Sequence, residues 1–184
     1  LTIENFVSMR RDVLAPPDTI NELEALIDEG QYDDAIALCD ENEGFITTLV
    51  GSALRMRHAG YEEMIGVLEQ AAAEESFKLQ AKISYLSLLG NVAPLLGLLG
   101  TVTGMITSFQ KIESMKAPTP GDLASGVYES LVNTTLGLFI AIVFLTVYFI
   151  IKNKVTKMSL SMALQAVEML KSFAAANVAS GKGH

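Results

Sequence analysis

The strongest pattern along the chain is the absence of charge in two long stretches. Residues 83–110, between Lys82 and Lys111, carry no charge at all, and residues 123–151, between Asp122 and Lys152, carry one, Glu129. A helix needs roughly 20 apolar residues to cross about 30 Å of hydrocarbon, so each stretch predicts a membrane-spanning helix. Two core helices of a soluble protein would read similarly, but they need a chain large enough to cover every face. The connection KIESMKAPTPGD is short and holds two prolines and a glycine, which stop one helix and let the chain reverse. An antiparallel hairpin is therefore expected, with spans at 84–110 and 122–151 and a link at 111–121.

Upstream of the hairpin the pattern changes to short amphipathic repeats. Thr19 and Glu22 have capping-box spacing, and Ile20, Leu23, Leu26 and Ile27 recur at helical spacing up to Gly30, a C-cap residue. Tyr32, Ala35, Ile36, Leu38 and Cys39 mark a second short helix, 46–57 a third, and Gly60 precedes a long helical pattern from Tyr61. No proline interrupts Tyr61 to Ala93, and neither proline nor glycine interrupts Lys152 to Ala176, so both spans extend beyond the membrane. The fold class expected is all-α: a polytopic membrane protein with long helices extending into the cytoplasm. A small helical cytoplasmic domain occupies 18–83, and a helical extension and tail occupy 152–184. The opening LTIENFV, followed by Arg10 and Arg11, reads as the end of an apolar segment at a basic cluster. It predicts that 1–17 closes a further transmembrane helix upstream, although a frayed terminus fits the same residues.

Composition sharpens this division. The formal net charge of -8 combines fifteen acids and two bases from Asp18 to Glu75 with six acids and eleven bases elsewhere. Acids outnumber bases 21 to 13, which argues against a nucleic-acid binder, and 50% hydrophobic residues exclude an acidic disordered chain. The acidic run is a solvated surface or a docking face for a basic partner. Lys78, Lys82, Lys152, Lys154 and Lys157 collar one side of the hairpin, against Lys111 and Lys116 on the other. The positive-inside rule then places the soluble part and the C-terminus in the cytoplasm. Cys39 is the single cysteine, so there is no internal disulfide and no thiol-rich metal site; it reads as a small core residue. His58 reads as a solvated side chain, and no metal or cofactor is expected.

Within the spans, departures from Leu, Ile, Val and Phe mark what does not face lipid. Gly90, Pro94, Gly97, Thr101, Gly104 and Ser108 alternate at spacings of four and three, which places them on one stripe, and Gly100 to Gly104 is a GxxxG. Close helix packing is the first meaning of that stripe, and the Thr101 hydroxyl adds a polar group to it. In the second span Glu129 lies two turns from Asp122, on the order of 10 Å at 1.5 Å per residue. Asp122, Ser125, Gly126, Glu129, Ser130, Asn133, Thr134 and Gly137 fall on one half of this helix, with Leu123 and Leu136 the apolar exceptions there and Thr135 the polar exception opposite, a mostly polar side of the kind a channel-lining helix has. A carboxyl group in a low dielectric favours its neutral form, which suits it to take up and release protons. A neutral Glu in a structural interhelical hydrogen bond is the alternative. An intramembrane hydrolase would need a second carboxylate, a His or an activated nucleophile at this depth, and the spans supply none, so no enzyme is expected.

NVAPLLGLLGTVTGMITSF, from Asn91 to Phe109, followed by GVYESLVNTTLGLFIAI, from Gly126 to Ile142, resembles the paired signature of the MotA/TolQ/ExbB proton channel family, most of all its ExbB branch. The resemblance implies that Glu129 is the pore glutamate, Thr101 the threonine of the preceding helix, and Thr134 the threonine after the glutamate. Asn133, Ser130 and Ser125 become candidates for pore lining, and Gly90, Pro94, Gly97, Gly100, Gly104 and Gly137 for helix packing. It further implies a pentamer in the bacterial inner membrane enclosing two copies of an ExbD-like single-span subunit with a membrane Asp. Proton flow would then energise a TonB-like protein for outer-membrane transport. A TolQ-like role in a Tol-Pal envelope system, a MotA-like stator role, and a structural membrane scaffold without conduction are the alternatives. Two features depart from the pattern: Thr103 stands where many relatives have an aromatic residue, and Thr134 lies about 140° around the helix from Glu129.

Overall fold

The computed structural model describes residues 17–115 and 119–179, and the fold they form is all-α. Its helices are α1 (Pro17–Asp28), α2 (Tyr32–Glu41), α3 (Phe45–Arg55), α4 (Tyr61–Ser114) and α5 (Pro120–Ala179). The chain divides into two compact units. One is a helical domain built from the residues up to Lys82 together with those from Asn153 onward; the other is a hairpin, Ile83–Lys152. The expected further span upstream of residue 17 falls outside the described residues.

In the helical domain, α3 is the most apolar of the short helices, and it is the centre of the core. Phe45, Ile46, Leu49, Val50, Ala53 and Leu54 are all buried, so α3 is covered on most sides. Helix α2 packs on both α3 and α1, and Leu23 and Ile27 of α1, Ala35 and Cys39 of α2, and Met64 and Leu68 of α4 are buried in the same domain. The C-terminal part of α5 adds Met162, Ala166, Met169, Leu170 and Phe173, and the Phe173 ring meets Tyr32 edge-on at 5.0 Å. Each large side chain buried in this way stabilises the domain by about 1.5–3 kcal/mol.

Local chemistry sets the helix ends. Gly30 takes a left-handed φ of 79°, and the N–H groups of Gln31 and Gly30 donate to the carbonyls of Leu26 (2.9 Å) and Ile27 (3.1 Å). This is a Schellman closure of α1 at the glycine the sequence marks as its C-cap. The start of α1 differs from the expectation. The chain is already helical at Pro17, the first described residue, so Thr19 lies within the helix and the Thr19–Glu22 capping box does not set its start. Proline is well suited to the first helical position, where its missing N–H costs nothing and its φ is already helical.

Cys39 is buried where α2 crosses α3, and a Cβ on Gly51 would stand 3.0 Å from the Cys39 Cβ. Burial, and then the neighbouring Asp40, push the thiol up to about 11, which fits the core role expected of it. The two bases of the acidic stretch both engage aspartates of α2. Arg57 pairs with Asp33 at 2.7 Å and Arg55 pairs with Asp40. Lys78 contacts Glu74 at 2.9 Å and Glu75 at 2.8 Å, and hydrogen bonds to these two carboxylates hold its ammonium above the usual lysine range.

The hairpin is built the other way round. The most apolar windows of its two helices are only 11% and 17% buried. Leu95, Leu96, Phe139 and Ile142 are among the exposed side chains, which overturns the soluble-core reading, since core helices would hide them. Pro94 sits inside α4 without ending it, as prolines do in helices surrounded by lipid and neighbouring helices. Helix α4 runs on to Ser114 and α5 opens at Pro120, so the helices are joined through residues 115–119.

Candidate functional site

The two helices of the hairpin meet through their smallest residues. A Cβ on Gly137 would stand 2.7 Å from the Ala93 carbonyl and 3.1 Å from the Gly97 Cα. A Cβ on Gly97 would stand 3.1 Å from both the Asn133 carbonyl and the Thr134 Cα. These are backbone atoms that cannot move aside, so the crossing requires glycine on both helices. On either side of it the contacts keep one register. Gly90 faces Leu145, Gly100 faces Asn133, Gly104 faces Ser130, and Ser108 faces Gly126.

Hydroxyl groups close this seam. Thr101 and Thr134 share a hydrogen bond, and each also has a backbone carbonyl within reach: Gly97 for both at 3.1 Å, and Ser130 for Thr101 at 3.3 Å. Ser108 donates to Gly104 and Ser130 donates to Gly126, both at 2.8 Å. Ser130 is 1% exposed and Ser108 5%, whereas the leucines around them are open, so this part of the hairpin turns hydroxyls inward and apolar side chains outward. In hydrocarbon no hydrophobic force pulls helices together, and close approach plus such hydrogen bonds do so instead.

Beside the seam lies an open polar groove of about 290 Å³. Helix α5 contributes Ser125, Gly126, Glu129, Ser130 and Asn133, and α4 contributes Gly100, Thr103, Gly104, Thr107, Ser108 and Lys111. The polar half of α5 thus divides in two. One edge, with Gly126, Ser130, Thr134 and Gly137, packs on α4, while Ser125, Glu129 and Asn133 look into the groove. Glu129 is exposed and has neither a hydrogen bond nor an ion pair with any described residue. Thr101 and Thr134 are brought together at the seam and are not part of the groove lining, so the 140° between Thr134 and Glu129 separates two distinct features.

The contribution of α4 to the groove was not anticipated as a set. Thr103, Thr107 and Lys111 are four residues apart and so share one face of the helix, a signal that could have found them. Thr103 and Thr107 satisfy their own hydroxyls on carbonyls of the preceding turn, donating to Leu99 and Thr103 at 2.9 Å each, so α4 presents short polar side chains without losing its helix.

A hairpin with an apolar exterior, a hydroxyl-bonded seam and one carboxyl group in a polar groove defines an all-α membrane protein with the parts of a channel subunit. The chain belongs to the MotA/TolQ/ExbB proton channel family, whose model matches residues 41–164. It is 35% identical over 81 residues to the Tol-Pal system protein TolQ of Pseudomonas aeruginosa, covering 44% of this chain and 35% of that protein. It is 41% identical over 75 residues to the biopolymer transport protein ExbB of Xanthomonas campestris (41% of this chain, 30% of that protein). Identity is 33% over 97 residues to the biopolymer transport protein exbB1 of Vibrio cholerae (50% and 42%). The chain thus spans between 30% and 42% of the length of these relatives.

Proposed function

We propose that this chain is an ExbB-like proton-conducting subunit of an inner-membrane motor, with Glu129 as the group that takes up and releases the proton. The observation that carries this reading is the placement of Glu129, a carboxyl group without a protein partner among the described residues, in a polar groove on a surface otherwise made of leucine, isoleucine and phenylalanine. An ionised carboxylate facing lipid alone would be costly, so such a residue belongs against a water-filled path or a partner helix. Thr101 and Thr134 hold the seam that positions the groove, and Ser125, Ser130 and Asn133 line it.

In this reading the spans are 84–110 and 122–151, joined by a periplasmic link, and the domain at 18–83 and the tail from 152 are cytoplasmic. Copies of the chain, five by family resemblance, surround an ExbD-like pair of single-span helices whose membrane Asp passes protons to and from Glu129. A TonB-like protein receives the work. The similarity to TolQ supports a second reading in which the same machinery serves a Tol-Pal envelope system. Both readings expect Glu129→Gln to abolish work driven by the proton-motive force in cells while the complex still migrates intact on a native gel. A silent Glu129→Gln would favour a structural scaffold.

A further inference from the structure

We propose that Lys111 is the counter-ion of Glu129: when the carboxyl group gives up its proton, the ammonium pairs with it across the groove between α4 and α5. The inference rests on the proton-carrying role of Glu129 and adds a positioning residue to it. Both side chains line the same groove, and the other described lining residues are uncharged, so these two are its described charges. The nearest other acid of α4, Glu113, lines a separate apolar hollow with Met105, Ile106 and Phe109.

The register of the hairpin brings the two within reach. Gly104 faces Ser130 and Ser108 faces Gly126, so Glu129 stands opposite position 105 of α4, six residues from Lys111, or about 9 Å along the axis at 1.5 Å per residue. Side chains on a helix lean toward its N-terminus. Because the helices are antiparallel, Lys111 leans toward Thr107 and Glu129 leans toward Ser125, and the two converge. A lysine on its four-carbon stem and a glutamate together cover that gap, and neither has an ion-pair partner among the described residues.

The chemistry requires such a partner for one half of the cycle only. With the proton on Glu129 the carboxyl is neutral and Lys111 is free to face water. When the proton leaves, the carboxylate would stand uncompensated beside hydrocarbon, and the ammonium supplies the opposite charge until the next proton arrives. Lys111 therefore acts through Glu129 and carries no proton itself.

The test uses the membrane-embedded complex. A water-soluble carbodiimide condenses a carboxylate and an amine in contact into an amide with loss of water. The expected product is a Lys111–Glu129 linked peptide found by mass spectrometry, absent in Lys111→Arg and in Glu129→Gln. Proton flux in Lys111→Gln should fall about thirtyfold or more, the order expected when one partner of a desolvated pair is removed, while Lys111→Arg, which keeps the charge, should stay within about twofold of wild type. A wild-type complex without the linked peptide, or a Lys111→Gln variant conducting like wild type, overturns the pairing. Flux that survives Glu129→Gln overturns the proton-carrying role itself, and the linked peptide, which forms without proton flow, tells that failure apart from this one.

Discussion

The helical domain and the hairpin treat their large apolar side chains differently: the domain hides most of them, and the hairpin leaves most of them open. In the domain Leu49, Leu54 and Met64 are completely buried, and the acids lie outside. In the hairpin Phe139 is 67% exposed, while Ser130 and Ser108 are buried alongside Ile83, Leu86 and Ala141. One chain thus obeys two solvents. Where water surrounds the protein, burial of leucine drives packing. Where lipid does, leucine gains little by turning inward, and the helices meet through glycine, threonine and serine. The polar groove is a by-product of that inversion: residues that let the helices approach also leave an unfilled, hydrogen-bonding face on which Glu129 can work.

The largest expected effect in breaking this contrast comes from truncating the domain core. Leu49→Ala should lower stability by about 2–5 kcal/mol in denaturant titrations, because it leaves a cavity in the centre of α3 packing. Phe139→Ala, a larger truncation on the open face of the hairpin, should cost no more than about 0.5 kcal/mol. Equal losses at the two sites would mean that the hairpin, too, is held by apolar burial.

Next in size is the glycine crossing. Gly137→Ala pushes a methyl group against the Ala93 carbonyl and should cost about 1–3 kcal/mol, read as a lower melting temperature in detergent. Gly66→Ala, also in a helix but with open space around it, should be neutral or stabilise by up to about 1 kcal/mol. If both substitutions behave alike, backbone approach is not what selects glycine in the hairpin. Thr134→Val removes the hydroxyl of the seam and should cost about 1 kcal/mol by the same melting measurement, within the range of membrane interhelical hydrogen bonds.

A last contrast, in pH rather than in sequence, belongs to Cys39. A thiol raised from 9.0 to about 11 keeps its proton in the folded domain at pH values where the unfolded chain loses it. The stability tied to it is therefore complete below pH 9.0 and declines as pH rises toward about 11. At about pH 8 the folded thiol should resist alkylation that the unfolded chain undergoes readily. Fast alkylation of folded protein would show that α2 and α3 do not seal the site.

Much of this was legible in the sequence because it depends on single helices. The charge-free runs, the Gly30 cap, the Gly60 break and the small-residue stripe through Gly97 and Gly104 are all periodicities within one segment. What depends on two helices at once was not. The pairing of Thr101 with Thr134, and the split of the polar half of α5 into a packed edge and an open edge, require the interhelical register, which no periodicity contains. Lys111 escaped for a related reason: it ends the uncharged run, and so it marks a membrane boundary until the two helices together place it on the groove that Glu129 also lines.

Proton uptake and release by Glu129, as proposed, is read out as proton flux into liposomes reconstituted with the purified complex under an imposed pH gradient. The wild type should conduct and Glu129→Gln should show only background leak, with both complexes eluting at the same size. Wild-type flux from an intact Glu129→Gln complex would contradict it.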